Sequence, residues 1–153
     1  MKYLNLLFLV SLLILSTTSC SNDDAPEIPA AELAAGTYTC TGSGQSLIIN
    51  MDLSNEQTVK IAAVSDSRAS VEYSIDYNGM DFGTFKTDNA TVTVDKKDGT
   101  ASINGSGTIS MGMGNKPAEY DFTVSGKISK DKKDVEFIFN VPDVMGGLTI
   151  TLN

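Results

Sequence analysis

The sequence predicts an all-β domain, a single antiparallel up-and-down β-barrel of about eight strands, over residues 36–153. Apolar and polar residues alternate with a period of two through most of this segment, which is typical of strands with one buried and one exposed face. The apolar period of an amphipathic helix is missing. Turn sequences such as Asn78-Gly79 and Asp98-Gly99 separate the alternating runs and favour hairpins. Short connections favour an antiparallel barrel or a sandwich, and of these we expect the barrel because closure removes unpaired strand edges.

The strand cores are predicted from the apolar positions of each alternating run. They are Val59 and Ile61; Val71, Tyr73, Ile75 and Tyr77; Val92 and Val94; Tyr120, Phe122, Val124 and Ile128; Val135, Phe137 and Phe139; and Leu148, Ile150 and Leu152. Glycines in residues 104–114 indicate bulges and coiling in a strand, since no phosphate-loop ending follows them.

The N-terminus has the layout of a secretory signal. Lys2 precedes an apolar stretch, residues 4–15, that is shorter than the roughly 20 apolar residues of a membrane-spanning helix. Four small polar residues and then Cys20 follow this stretch. We therefore expect residues 1–19 to be removed as a signal peptide.

Cys20, directly after the small residues, resembles the lipobox cysteine of bacterial lipoproteins, which receives a diacylglycerol on its sulfur and an acyl chain on its amino group. The alternative is an ordinary secretory signal with a free thiol. Residues 21–24, Ser-Asn-Asp-Asp, resemble the signal that sends some Gram-negative lipoproteins to the outer face of the outer membrane. We therefore expect a protein anchored by lipid in the cell outer membrane and facing the exterior. The periplasmic face is the alternative.

The mature chain is acidic and has a single thiol besides Cys20. The whole chain carries a formal net charge of −8, and loss of Lys2 with the signal peptide makes it −9. This charge excludes nucleic-acid binding, which requires clustered Lys and Arg. Cys40 has no partner for an intramolecular disulfide once Cys20 is lipidated, and we expect it to be a small buried residue. Residues 20–35 contain two prolines and no sustained apolar period, which predicts a lipidated N-terminus and flexible tether.

Three segments carry a resemblance to a known family. They are residues 36–42, GTYTCTG; residues 118–128, AEYDFTVSGKI; and residues 147–152, GLTITL. These segments are similar to the calycin-like β-barrel lipoproteins of Gram-negative bacteria, and the similarity extends over residues 36–153. The resemblance implies a lipocalin-like cup of about eight strands. It implies no catalytic residues.

Catalytic chemistry has little support in the sequence. The chain contains no His, which excludes Ser-His and Cys-His pairs and most zinc sites. Two pairs of acids, Glu72 with Asp76 and Glu119 with Asp121, lie on predicted polar strand faces, where solvated carboxylates are expected. The acidic turns at residues 95–99 and 131–134 do not fit an EF-hand loop, and lysines separate their acids. We expect no enzyme, no cofactor and no metal.

Two functions remain. The inward strand faces carry a set of aromatic residues, which are Tyr38, Tyr73, Tyr77, Tyr120, Phe122, Phe137 and Phe139. Because a barrel of this size can hold one small ligand, the first expectation is a lipoprotein that binds a small apolar or aromatic ligand in the barrel without turnover. The second is a structural or protein-interaction lipoprotein with a filled core, accessory to a cell-envelope complex. An open interior favours the first function and a packed interior the second. The sequence leaves the oligomeric state open.

Overall fold

Eight antiparallel strands close into one barrel in chain order, with each strand paired to the next and the last paired to the first. The computed structural model describes residues 27–112 and 117–153, so Cys20 and the predicted signal peptide lie outside the described residues. The elements are α1 Ala30–Ala34, β1 Gly36–Gln45, β2 Asn50–Ser65, β3 Arg68–Tyr77, β4 Met80–Val94, β5 Ala101–Met111, β6 Ala118–Ile128, β7 Val135–Val141 and β8 Leu148–Leu152. The predicted all-β, eight-stranded antiparallel barrel is confirmed.

Side-chain alternation places one face of each strand inside the barrel. In β3, Tyr73 and Ile75 are buried, whereas Ser74 between them is exposed. The strand is followed by Asn78 and Gly79, whose φ values of 55° and 75° lie in the left-handed region that type I′ hairpins require. The alternating pattern and the Asn-Gly pair therefore predicted both this strand and its turn.

Strand β4 changes the phase of its alternation. Phe85 and Thr87 are buried near its middle, and Ala90 and Val92 are buried further on, so the buried positions move from odd to even numbers. The pairing register with β5 shifts in the same stretch. Such a bulge bends the strand, which a small barrel needs. The phase change conceals the alternation in the sequence, and Phe85 was not among the predicted inward residues.

The last residues of the segment predicted as a tether pack against the barrel. Ala30–Ala34 forms α1, which packs against β2 and β4 with Ala31 and Ala34 fully buried. The Ala31 amide donates to the Asp66 carbonyl at 3.0 Å, and the Tyr38 hydroxyl donates to the Ala34 carbonyl at 2.7 Å. Five residues are too few to show a helical period, so the sequence pattern could not predict the burial of Ala31 and Ala34.

The barrel has two distinct ends, which we name from α1. The α1 end comprises residues 27–35 and the turns at residues 66–67, 95–100 and 129–134. The far end comprises residues 46–49, 78–79 and 142–147, together with the end of β5 and the beginning of β6. Within the described ranges, no helix is long and apolar enough to cross a membrane.

Candidate functional site

Aromatic rings fill the centre of the barrel. Tyr73, Phe85 and Phe139 have no exposed surface, and their ring centroids lie 4.8 to 5.8 Å from one another. The Tyr73 and Phe85 rings are nearly parallel, with an interplanar angle of 3°. These distances are those of aromatic rings in direct contact. The three rings therefore occupy the space in which the predicted ligand would lie.

Two further predicted residues, Phe122 and Phe137, are packed against glycines. Their exposed fractions are 2% and 0%. A Cβ atom at Gly107 would lie 2.8 Å from Cε1 of Phe122, and one at Gly126 would lie 2.7 Å from Cδ1 of Phe137. Both distances are shorter than a carbon–carbon contact allows. The glycines of β5 and β6 thus make room for rings inside the barrel.

The hydroxyls of the two buried tyrosines already have protein partners. Tyr38 donates to the Ala34 carbonyl, and Tyr73 donates to Oε1 of Gln57 at 2.9 Å. Nε2 of Gln57 in turn donates to the Asp76 carbonyl at 3.0 Å. Burial raises the pKa of both tyrosines, and the Asp76 carboxylate adds to the rise in the pKa of Tyr73. Neither hydroxyl is free to orient a ligand.

The remaining two predicted ligand residues lie nearer the far end. Tyr77, the last residue of β3, and Tyr120 in β6 are partly buried against the core. The Tyr77 ring meets the Phe82 ring edge-on, with centroids 5.8 Å apart. The structure thus brings all seven predicted residues to the barrel interior or its rim, where they pack with other protein groups.

The residues around the aromatic interior that the sequence did not predict include Phe85 and Gln57. Phe85 was concealed by the phase change in β4. Gln57 is 1% exposed and lies two residues before Val59, on the same inward face as Val59 and Ile61. The alternation therefore indicated that Gln57 faces inward. A buried amide needs partners, and Tyr73 together with the backbone of β3 supplies them. In the described ranges, every buried side-chain nitrogen or oxygen has a hydrogen-bond partner.

The candidate acid pairs lie outside the barrel. Asp76, Glu119 and Asp121 are exposed, and Glu72 lies 3.8 Å from the Lys86 amine in a surface ion pair. A shallow hollow of about 250 Å³ lies over the outer face of β2 and β3 and has mostly polar walls. Among residues 27–112 and 117–153, no group of three or more Cys, Asp and Glu residues is placed to hold a metal ion.

Cys40 is 3% exposed, so the prediction of a small buried residue is confirmed. Its thiol belongs to the hydrophobic core, and burial raises its pKa. A thiol with a raised pKa forms less of the reactive thiolate.

The largest hollow that we describe, the α1 hollow, opens at the α1 end. It has a volume of about 730 Å³ and lies between residues 27–33 and the turn between β4 and β5. Its walls are formed by Glu27, Ile28, Pro29, Ala30, Leu33, Asp66, Val94, Asp95, Lys96, Lys97, Asp98, Gly99 and Lys130. This hollow combines apolar side chains with charged ones and is separate from the aromatic interior.

Comparisons with known proteins agree with this architecture. A solved structure from Bacteroides fragilis NCTC 9343, named as a candidate outer membrane protein, matches with 31% sequence identity and a TM-score of 0.60. The match covers 80% of this chain and 44% of that one, so the present chain spans less than half the length of that protein. A comparison with curated proteins gave no match. The family model described as the calycin-like beta-barrel domain matches residues 35–153. The expected resemblance is therefore confirmed, and the chain belongs to the calycin-like β-barrel family.

Proposed function

We propose that this chain is a lipoprotein without enzymatic activity, anchored in the outer membrane, whose filled barrel acts through its outer surface as a structural or interaction component of the cell envelope. The observation that carries this proposal is the packed interior, in which Tyr73, Phe85 and Phe139 contact one another with no exposed surface. A protein with such an interior offers its outside to partners.

Binding of a small ligand inside the barrel has less support. Pockets for small molecules typically have volumes of about 300 Å³ or more, and such a volume here would require several buried rings to move together. Their contacts and the hydrogen bond from Tyr73 to Gln57 would be lost in that movement. The cost of breaking a well-packed core opposes opening, so the interior serves stability.

Anchoring by lipid is supported by Cys20 and by the signal-like sequence that precedes it. Two or three acyl chains bury many methylene groups, each of which contributes about 0.8 kcal/mol to membrane binding. The name of the Bacteroides fragilis neighbour is consistent with an outer-membrane location. Residues 21–24 favour the exterior face, and the periplasmic face remains the alternative orientation.

The absence of enzymatic activity is supported by the chemistry of the side chains. The sequence contains no His, and Cys40 is buried with a raised pKa. The acid pair Glu72 and Asp76 lies on the outer surface, and the Lys86 amine pairs with the Glu72 carboxylate. A general acid requires a carboxyl group in an environment that favours its protonated form. An exposed outer strand face does not provide such an environment.

The two parts of the proposal are tested separately with the full chain. Cys20→Ala should move the protein from the membrane to the soluble fraction, whereas Cys40→Ala, the matched control, should leave it in the membrane. A Cys20→Ala protein that stays in the membrane would overturn the anchor. The wild-type protein should show a flat thermal-shift response to fatty acids, sterols, aromatic metabolites and short sugars. A ligand at one hundred times its Kd would stabilise the protein by about 2.7 kcal/mol, and such a response would overturn the filled interior.

A further inference from the structure

The path of the chain brings the α1 end close to any anchor at Cys20. Glu27 is the first described residue and forms part of the wall of the α1 hollow. Seven residue steps separate Cys20 from Glu27, and they span at most about 25 Å when fully extended. A ten-residue strand such as β1 is about 33 Å long, and the tilt of strands in a barrel reduces its height to roughly 25 Å. A protein standing on its far end would therefore need a fully stretched tether alongside the barrel.

Charge is distributed unequally between the two ends. The far end carries five acidic residues. Among the residues that the structure describes, no Lys or Arg lies within three positions of its connections. The sequence adds Lys116 between β5 and β6. These acids are Asp52, Asp76, Asp81, Glu119 and Asp143. The α1 end carries seven cations, Arg68, Lys96, Lys97, Lys127, Lys130, Lys132 and Lys133, against eight acids, Glu27, Glu32, Asp66, Asp95, Asp98, Asp131, Asp134 and Glu136. Lipid phosphates thus repel the far end more strongly than the α1 end.

The walls of the α1 hollow combine apolar surface and three lysines with four acids, Glu27, Asp66, Asp95 and Asp98. Ile28 is 57% exposed, and Pro29 and Leu33 add apolar surface beside it. Lys96, Lys97 and Lys130 border the same hollow and are exposed. Lysines that extend past apolar surface can place their amines among phosphates while apolar groups enter the interface.

We propose that the α1 end of the barrel rests on the lipid headgroup layer, with Lys96, Lys97 and Lys130 contacting lipid phosphates at the α1 hollow. This inference rests on the proposed anchoring at Cys20, because the tether keeps the barrel at the membrane surface. The far end, with its acids, then points away from the bilayer towards possible partners.

The far end is the competing contact surface. Its connections expose Leu47 and Ile48, at 82% and 73%, and Met80 at 55%. These side chains could enter a bilayer by their apolar character. The nearby acids Asp52 and Asp81 oppose such contact with phosphates, so we assign the membrane surface to the α1 end.

The test measures which end lies at the lipid. A single cysteine is introduced at Ser67 in the α1 end or at Ile48 in the far end of the full, lipidated chain, and is labelled with a fluorophore. Both positions are exposed, whereas Cys40 is buried and stays unlabelled. The protein is anchored in mixed phosphatidylcholine and phosphatidylglycerol vesicles that contain lipids spin-labelled on the headgroup. We expect quenching of the fluorophore at position 67 and little at position 48.

A second pair of variants tests the lysines. Lys96→Gln with Lys97→Gln should lower the ratio of quenched to unquenched label at position 67 by about thirtyfold, because each of the two lysines contributes to attraction by anionic lipid. The matched control, Lys60→Gln with Lys86→Gln, removes two exposed cations from the barrel wall and should leave quenching unchanged. Circular dichroism verifies that all variants fold.

Flotation of the vesicles separates this inference from the anchor. If Cys20→Ala still floats with the vesicles, the anchor proposal fails first. If the two singly labelled proteins float but their labels are quenched equally, or the label at position 48 more strongly, the orientation proposed here is wrong. Absence of quenching at both positions would also overturn it and would leave the α1 hollow for a protein partner. Quenching that persists in the Lys96 and Lys97 variant would overturn the role of the lysines.

Discussion

Replacing Phe139 with Ala is the most direct test of the filled interior. The ring contacts Tyr73 at 5.0 Å and Phe85 at 4.8 Å between centroids and has no exposed surface. Loss of its burial costs about 1.5–3 kcal/mol. A residual cavity of roughly 70 Å³ adds about 1.7 kcal/mol, at 24 cal/mol per Å³. We therefore expect the free energy of unfolding to fall by about 3–5 kcal/mol.

Urea denaturation followed by circular dichroism measures this loss. Ile48→Ala is the matched control, because it also truncates a large apolar residue but at a position that is 73% exposed. Its effect should stay within about 0.5 kcal/mol. The cavity should also give Phe139→Ala a property that the wild type lacks, the binding of a xenon atom, which is small enough for a cavity of this size.

A fall of less than about 1 kcal/mol in the free energy of unfolding of Phe139→Ala would refute the reasoning, because so small an effect would mean that the ring is not tightly packed. Binding of xenon by the wild type to the same degree as by Phe139→Ala would also refute it. Either result would favour an interior with space for a ligand.

Two further predictions concern Tyr73 and Cys40. Tyr73→Phe should lower the free energy of unfolding by about 1 kcal/mol in urea denaturation, because it removes the 2.9 Å donor to Oε1 of buried Gln57 and leaves only the 3.4 Å bond from the Asp76 amide. An unchanged value would contradict this hydrogen bond. Burial raises the pKa of Tyr73 above 10.0, so the folded state retains a proton that the unfolded state releases. Stability should therefore hold below a pH of about 10 and fall above it, less steeply in Tyr73→Phe than in the wild type. Cys40, which is 3% exposed and has a raised pKa, should resist thiol reagents in the native protein and react in urea; rapid native labelling would show that the core opens.

The strands and their inward faces were predictable because alternation is a local property. Tyr73 and Ile75 follow one another at a spacing of two, which identifies the buried face wherever the strand lies. Asn78 and Gly79 identify a turn because both adopt left-handed φ values with little strain. Short hairpin connections then leave a barrel of sequential strands as the favoured arrangement.

The short helix and the phase of β4 were not predictable from the pattern. Ala31 and Ala34 are small enough to lie against the barrel end, but a five-residue segment has too few positions to define a period. Phe85 was not predicted to face inward, because the bulge in β4 moves the inward-facing positions from odd to even residue numbers. Both features depend on contacts between residues that are distant in the chain.

Whether the barrel is open or filled was decided by the tertiary structure. The sequence by itself determined three things: the inward direction of Tyr73, Phe137 and Phe139, the charge of the chain, and the candidate anchor at Cys20. Alternation specifies the face on which a ring lies, but it does not specify the distance to the ring across the barrel. That distance depends on strand closure, on register, and on glycines such as Gly126 that let Phe137 lie against the backbone of the neighbouring strand. Only the closed barrel brings these rings into contact, which is why a sequence compatible with a ligand cup encodes a packed core.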